Sequence, residues 1–301
     1  MTGVPFESSV IEGFATRASW DASAAETVAR MLERWQLAPG EAFVGGYSAS
    51  VLAVTTADGD PAVLKVGFPH VEGVFEPVAL AAFGELAPRI LRQDEWTWSL
   101  LLERVSPGAP LSTAGLPVAE ALGIGCDIHR RLTAIRPPKG LPTLADAMGD
   151  YSRTARERFA GQLPELERMD AAGLVALALD ELDALASDPS EPVLLHGDFN
   201  PGNLLRGEAG WRVIDPKPLV GDAAADLWPL VQQLGASTPL EEKLATAGHL
   251  TGLDPARIAR WGFARIALNA SWYLDDGSTE LAEASVAELR GWQEAQRTLS
   301  A

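Results

Sequence analysis

The sequence predicts an α+β fold of two lobes, with a small N-terminal lobe built on an antiparallel sheet and a large, mainly helical C-terminal lobe. The chain has 301 residues, which is long enough for two domains of ordinary size. Strand-like segments are concentrated in the first third, whereas helical periodicity dominates the remainder. Proline and glycine cluster at 105–110 between these parts, so the lobes are predicted as residues 1–105 and 106–301.

The first lobe is predicted to begin with a helix over 23–36, because Ser23 and Glu26 form a capping-box pattern before an apolar face at helical spacing. Asp58-Gly59 is a hairpin-turn signal between two apolar, β-branched segments. A helix is predicted over 73–86. Strand-like segments fall at 43–44, 51–56, 62–66, 90–92 and 97–102.

The second lobe is predicted to be helical with one strand-like interruption. The helices are expected over 117–134, 144–162, 171–187, 222–234, 239–250, 255–274 and 279–298. The interruption consists of a strand at 193–195 and a hairpin of 204–205 with 211–214. This hairpin ends at Asp215.

Composition narrows the classes of function. Hydrophobic residues make up 47% and charged residues 22%, as in ordinary globular proteins. No apolar run reaches 18 residues and the N-terminus lacks a signal pattern, so neither a membrane partner nor secretion is predicted. The single cysteine, Cys126, excludes an intrachain disulfide and suits a reducing cytoplasm. A net charge of −17 argues against a nucleic-acid partner and is compatible with a cationic small molecule.

The most informative segment is His196-Gly197-Asp198-Phe199-Asn200-Pro201-Gly202-Asn203, which Asp215 follows twelve residues later. Phosphoryl transfer requires mainly positioning and charge neutralisation. Asp198 could orient an acceptor hydroxyl and accept its proton, which makes it the predicted catalytic residue. Asn203 and Asp215 offer the hard oxygen ligands that Mg²⁺ prefers, so they are the predicted metal ligands.

This segment resembles the H-x-D-x-x-x-x-N catalytic loop of the kinase-like superfamily, and HGDFNPGN is similar to the loop of the aminoglycoside phosphotransferases. Residues 214–222 read I-D-P-K-P-L-V-G-D and resemble the branch that contains streptomycin 6-kinases and hydroxyurea phosphotransferases. The resemblance implies a bilobal protein-kinase-like fold. It also implies ATP- and Mg²⁺-dependent transfer to a hydroxyl of a small molecule, such as an aminoglycoside like streptomycin.

The resemblance also implies a nucleotide site in the first lobe. Lys65 lies in an apolar strand like the V-A-I-K strand of the family, where it would meet the phosphates. Its expected partner is Glu76, with Glu72, one turn earlier, as the alternative.

Further nucleotide contacts are expected from two loops. Gly45, Gly46 and Ser48 would cover the phosphates, although a plain turn is the alternative. Glu103 and Val105 fall where the family offers backbone groups to adenine.

Three residues near the loop are expected to support it. His196, Asp222 and Asp226 are interpreted as structural, with Asp222 as a possible helix cap. Lys217 either offsets negative charge near the phosphates or pairs with an acid.

The acceptor is expected in the second lobe, near Asp198, on Trp272, Asp275 and Asp276 together with the segment 146–150. Carboxylates and an aromatic face would suit a cationic acceptor. The alternative is a core tryptophan beside a solvated helix end. A sugar, amino-sugar or other metabolite kinase and a non-catalytic nucleotide-binding module remain alternative functions. The oligomeric state, monomer or homodimer, stays open.

Overall fold

The computed structural model describes residues 17–43, 48–188 and 191–300. The chain forms two compact units, one of Met1–Leu111 with Asn203–Lys217 and one of Ser112–Gly202 with Pro218–Ala301. The first unit therefore runs past the predicted boundary at 105 and 106, and it includes the hairpin that the sequence prediction had assigned to the second lobe.

The elements have these bounds. The strands are β1 (Ala38–Phe43), β2 (Ala49–Thr55), β3 (Pro61–Gly67), β4 (Ile90–Asp94), β5 (Ser99–Glu103), β6 (Pro107–Pro110), β7 (Val193–Leu195), β8 (Leu204–Gly207), β9 (Gly210–Val213) and β10 (Leu219–Gly221). The α-helices are α1 (Arg17–Trp35), α2 (Glu76–Phe83), α3 (Val118–Thr133), α4 (Leu144–Gly161), α5 (Leu163–Arg168), α6 (Ala172–Ser187), α7 (Leu227–Gln233), α8 (Leu240–Thr251), α9 (Pro255–Asp275) and α10 (Thr279–Ser300).

The first unit is organised by an antiparallel sheet of order β1-β2-β3-β5-β4. Side chains alternate between the two faces of a strand, so Leu64 and Val66 of β3 share one face and Lys65 lies on the other. Leu64 and Val66 join Met31 and Trp35 of α1 in one buried apolar cluster. This packing on one face fixes the register of β3 and with it the face that presents Lys65.

A second sheet explains why the hairpin belongs to the first unit. Its order is β6-β8-β9, and β8 pairs antiparallel with β6. The segment 107–110 is thus a strand, where the sequence suggested only a boundary. Pro107 and Pro110 are compatible with this because β6 is an edge strand, where proline removes no required ladder hydrogen bond.

The second unit consists of α3 to α10 and the antiparallel pair β7 and β10. Its core includes Trp261, Phe263 and Trp292, which are buried. Gly262 of α9 faces Trp292 of α10 so closely that a Cβ there would lie 2.1 Å from the indole ring. A glycine is therefore required where these two helices meet. Across the described ranges, no helix combines the length and apolarity needed to cross a membrane.

Several predicted boundaries were wrong. The first helix begins at Arg17, so Ser23 lies inside it, where its hydroxyl donates to the Trp20 carbonyl (3.2 Å) instead of capping. The helix predicted over 73–86 is shorter, since 3₁₀ turns flank α2 on both sides. The helix predicted over 222–234 begins as a 3₁₀ turn, and α5 was not predicted.

Candidate active site

The loop that carries Asp198 is fixed through its backbone. It follows β7, and Gly197 has φ +80°, a left-handed conformation that glycine adopts without strain. The amides of His196 and Gly197 donate to the two carboxylate oxygens of Asp226, at 2.6 and 2.9 Å. The Asp198 amide donates to His196 Nδ1 (3.3 Å). His196 and Asp226 thus support the loop, as expected.

Asn200 connects the Asp198 side chain to the rest of the loop. Its Nδ2 donates to Asp198 Oδ1 (2.9 Å), and its Oδ1 accepts from the Gly202 amide (2.9 Å). Asn200 was not among the predicted site residues. The signal was present, because asparagine before Pro201-Gly202 is typical of a turn in which the side chain binds backbone two residues on.

The loop rests on a buried cluster of rings in edge-to-face contact. Phe199 is fully buried, with ring centroids 5.8 Å from His196 and 5.7 Å from His129. His129 Nε2 donates to the Ala223 carbonyl (2.9 Å), and burial lowers the pKa of His129 to about 4. This histidine is therefore neutral near pH 7 and belongs to the packing. Burial also raises the pKa of Asp226 to about 6, against the two amide hydrogen bonds that lower it.

Asp222 also has a structural position. Its Oδ1 accepts from the Ala224 amide (3.0 Å) and so caps the 3₁₀ turn that leads to Asp226. Its Oδ2 accepts from Arg257 Nε and Trp261 Nε1, both at 2.6 Å.

In the first unit, Lys65 binds two carboxylates. Its Nζ donates to Glu76 Oε1 and Oε2 at 2.6 and 2.7 Å and to Asp215 Oδ1 at 2.6 Å. Lys65 and Glu76 are buried, whereas the Asp215 side chain is 39% exposed. Burial by itself would lower the pKa of Lys65, but Glu76 and Asp215 outweigh it, so the pKa is raised and the ammonium stays charged. Glu72 instead lies 3.5 Å from Lys217 Nζ.

The hairpin brings Asn203 and Asp215 to the same end. The Ile214 amide donates to the Asn203 carbonyl (3.0 Å), beyond the pairing of Leu204 with Val213. Asp215 has φ +57°, a left-handed conformation uncommon for a residue with a side chain. The first unit therefore contains Asn203 and Asp215 at one end of the hairpin, and it joins Asp215 to a charged lysine 150 residues away in sequence.

Four further residues were predicted, with Glu103, to contact the nucleotide from two loops: Gly45, Gly46, Ser48 and Val105. Gly45 and Gly46 lie outside the described residues. The Ser48 carbonyl accepts from the Phe68 amide (2.7 Å). The Glu103 carboxylate binds Arg89 and Arg212 side chains at 3.3 and 3.4 Å.

The ion pair between Glu103 and Arg212 lies within the first unit. Since the Glu103 side chain is engaged in ion pairs, it leaves the predicted adenine contact to the backbone of 103–105. Val105 follows two residues after β5 ends.

The predicted acceptor residues lie near the end of α9. Trp272 is 39% exposed and meets the Tyr151 ring edge to face, with centroids 6.1 Å apart. Asp275 Oδ2 lies 3.1 Å from Arg158 Nε, and Asp276 Oδ1 accepts from the Ser278 hydroxyl at 3.2 Å. The tryptophan therefore offers an accessible face, while Arg158 offsets the charge of Asp275.

Comparison with known proteins adds sequence relatives. A profile described as aminoglycoside/hydroxyurea antibiotic resistance kinase matches residues 34–277. A hydroxyurea phosphotransferase of Kitasatospora aureofaciens is 36% identical over 86% of this chain and 76% of its own length. A streptomycin 6-kinase of Streptomyces glaucescens is 31% identical over 89% of each chain.

Solved structures agree in fold. A thermostable mutant of aminoglycoside phosphotransferase APH(4)-Ia, in ternary complex with AMP-PNP and hygromycin B, superposes with a TM-score of 0.68 at 16% identity. That match covers 89% of this chain and 97% of the other. A choline/ethanolamine kinase family protein of Mesorhizobium loti superposes with a TM-score of 0.64 at 18% identity, over 95% and 98% of the two chains. The predicted kinase-like fold class is confirmed.

Proposed function

The chain belongs to the aminoglycoside/hydroxyurea antibiotic resistance kinase family, and we propose that it transfers the γ-phosphoryl group of ATP to a hydroxyl group of a small molecule. The observation that carries this proposal is the contact between Lys65 and Asp215, at 2.6 Å and 150 residues apart in sequence. It joins the strand lysine expected at the phosphates to the acid expected at the metal. Both belong to one unit of the chain.

Asp198 accepts the proton in this proposal. The acceptor oxygen forms a bond to the γ-phosphorus, the bond from that phosphorus to the β,γ-bridging oxygen breaks, and the hydroxyl proton passes to the Asp198 carboxylate. Asn200 fixes one carboxylate oxygen, and Asp226 fixes the backbone that carries it. Support comes from this double fixation, since a base must be held within hydrogen-bond reach of the proton it removes.

Lys65 binds the phosphates in this proposal, and Glu76 holds its ammonium group in place. Ser48 contributes to the phosphate-covering loop together with Gly45 and Gly46. The backbone of 103–105 binds adenine. A buried lysine that keeps its charge is suited to phosphate, because charge-assisted hydrogen bonds are strong where water is excluded.

Asn203 and Asp215 fit a magnesium ion. Both supply hard oxygen donors from one end of the hairpin, and Mg²⁺ commonly binds one or two carboxylates together with phosphate oxygens and water. The partial exposure of Asp215 leaves room for such ligands. When bound, the ion would neutralise charge on the transferred phosphoryl group. We assign Asn203 and Asp215 as its protein ligands.

The acceptor is the finer part of the proposal. We propose streptomycin or a related aminoglycoside, on the basis of the streptomycin 6-kinase relative. Hydroxyurea is the second candidate, because the hydroxyurea phosphotransferase shares 36% identity over 86% of the chain. We place the enzyme in the cytoplasm, where ATP is available.

An acceptor screen tests the proposal. Purified protein with ATP and Mg²⁺ is offered streptomycin, other aminoglycosides, hydroxyurea and amino sugars, while ADP release and phosphorylated product are followed by mass spectrometry. We expect selective phosphorylation of streptomycin. Phosphorylation of hydroxyurea alone would select the second candidate. Tight MgATP binding with no product from any acceptor would instead support a non-catalytic nucleotide-binding module.

A further inference from the structure

A second lysine lies next to the proposed metal ligand. Lys217 follows Asp215 by two residues, and its Nζ lies 3.5 Å from Glu72 Oε2. The segment between them is stiff, because Pro216 is buried and its ring fixes the backbone angle φ. Lys217 is thereby kept near Asp215 by the chain itself and directed by a carboxylate from another segment.

Two lysine–glutamate pairs share one supporting segment. Glu72 lies in the 3₁₀ turn Val71–Phe75, which leads directly into α2, and Glu76 is the first residue of α2. Glu76 holds Lys65, which contacts Asp215, while Glu72 holds Lys217. Consecutive turns of one segment therefore hold one lysine that contacts Asp215 and a second lysine two residues away from it in sequence.

The two pairs differ in burial and contact length. The Lys65 and Glu76 side chains are 11% and 9% exposed, and their contacts are short. The Lys217 and Glu72 side chains are 34% and 26% exposed, and their contact is longer. A partly exposed ion pair adds little to stability, so the second pair is poorly explained as a device for folding. An ammonium group with one-third of its side chain exposed is accessible to an anion.

The charge balance favours an anion with a metal ion. Counted over five side chains alone, the carboxylates of Glu72, Glu76 and Asp215 outnumber the two ammonium groups by one, a net charge of minus one before a metal binds. A divalent cation at Asp215 would reverse this sign. A polyphosphate is then attracted to both lysines at once.

We propose that Lys217 contacts the terminal phosphate of the nucleotide and that Glu72 is the positioning residue that directs it there. The inference rests on the proposed function. A metal ion held by Asp215 would neutralise charge on the transferred phosphate, so Lys217, two residues from that proposed ligand, would be within reach of the terminal phosphate. Lys65, which is already bound by two carboxylates, would then serve the inner phosphates and Lys217 the outer one.

The test compares ATP with ADP. Calorimetry in the presence of Mg²⁺ measures both affinities for the parent and for Lys217→Met, Lys217→Arg and Lys65→Met. We expect Lys217→Met to lower the affinity for ATP about 10- to 100-fold. The affinity for ADP should change less than threefold, because only ATP carries the terminal phosphate. Lys217→Arg should retain most of the parent's affinity for ATP. Lys65→Met should lower the affinity for both nucleotides. Lys139→Met, at an exposed lysine of the second unit, is the matched control.

A double-mutant cycle tests the role of Glu72. Glu72→Gln should lower the ATP-to-ADP affinity ratio in the parent and should have no further effect on it in Lys217→Met, because Glu72 acts through Lys217. A merely structural role would leave that ratio unchanged in every variant.

Equal losses for ATP and ADP in Lys217→Met, or no loss for either, would overturn the assignment of Lys217. If Lys217→Met does not fold, Glu72→Gln decides in its place: an ATP-to-ADP affinity ratio equal to that of the parent would overturn the assignment. A parent protein that binds no MgATP would instead refute the proposed function itself.

Discussion

The loop of Asp198 and the cluster of Lys65 are both proposed to serve one reaction, yet they are held in place by different forces. In the loop, a buried carboxylate binds two backbone amides, and a glycine with positive φ sets the turn. In the cluster, a buried ammonium group is bound by two carboxylates from distant segments. The loop thus fixes a backbone and leaves Asp198 half-buried, whereas the cluster makes the functional side chain part of the buried interior. Function and stability should be separable in the loop and coupled in the cluster.

The sharpest test of this contrast is Asp198→Asn. We expect turnover to fall by about 10²–10⁴-fold, because the carboxamide cannot accept the proton. MgATP affinity and the denaturation midpoint should stay close to those of the parent. Steady-state kinetics, calorimetry and urea denaturation measure the three quantities. Asp127→Asn, at an exposed position on α3, controls for the change of charge. Turnover within a few-fold of the parent would remove Asp198 from this role.

The cluster should respond differently to loss of its lysine. Lys65→Met leaves Glu76 buried without its cation, so we expect about 3–5 kcal/mol less free energy of unfolding, together with weakened ATP binding. Adding Glu76→Gln should recover part of the stability and none of the ATP affinity. Urea denaturation of the single and double variants tests this.

Lys243→Met provides a matched control for burial, since Lys243 is buried but donates to the Leu234 carbonyl (2.9 Å) instead of a carboxylate. Equal losses of stability in Lys65→Met and Lys243→Met would contradict the coupling inferred for the cluster.

The support of the loop should appear in the pH dependence of stability. The pKa of Asp226 is about 6 in the folded protein and 3.8 in the unfolded chain, so the folded state binds the extra proton between these values. The contribution of Asp226 is therefore fully present below about pH 4 and is lost as the pH rises through 6. A shift of this size corresponds to about 3 kcal/mol.

Asp226→Asn isolates this contribution. The free energy of unfolding of the parent, relative to that of the variant, should fall by about 3 kcal/mol as the pH rises from 4 to 7. Urea denaturation at several pH values measures it. A difference that is independent of pH would show that burial does not perturb Asp226 as inferred.

The smallest effect is expected at the predicted acceptor residues. Asp275→Asn with Asp276→Asn removes two negative charges and leaves the positive charge of Arg158 without that of Asp275, so the KM for a cationic acceptor should rise a few-fold while that for ATP is unchanged. The increase should shrink at high salt. Asp58→Asn with Asp60→Asn makes the same change of charge at an exposed turn of the first unit. Identical acceptor kinetics in both double variants would exclude this patch from the acceptor site.

Local signals in the sequence predicted local structure well. Asp254 accepts from the Ala256 amide (3.0 Å) with Pro255 in the first turn, and α9 ends within one residue of its predicted end. The same reasoning failed at Ser23, because a capping pattern can also occur inside a helix that begins earlier. Strand β6 was not predicted, because its prolines indicate a break in secondary structure and its pairing with β8 involves residues distant in sequence.

In the candidate site, too, some features follow from local sequence patterns and others depend on packing. The roles of Asp198, Asn203 and Asp215 were inferred from their spacing and stay predictions, and Gly197 is explained by its positive φ. The contact of Lys65 with Asp215 depends on how sheet and hairpin pack, which no local pattern specifies. Glu76 was the expected partner of Lys65, with Glu72 as the alternative, and the observed contact is with Glu76.

The hairpin's membership of the first unit bears on how this chain could be divided. The backbone passes between the units at three points, after Leu111, after Gly202 and after Lys217. A fragment truncated at Leu111 would keep Lys65 and Glu76 and lose Asp215, together with β8 and β9, which complete the β6 sheet. Neither unit is thus a contiguous cassette for recombination or independent expression. A swap between relatives that respects the units would exchange two stretches of sequence in concert.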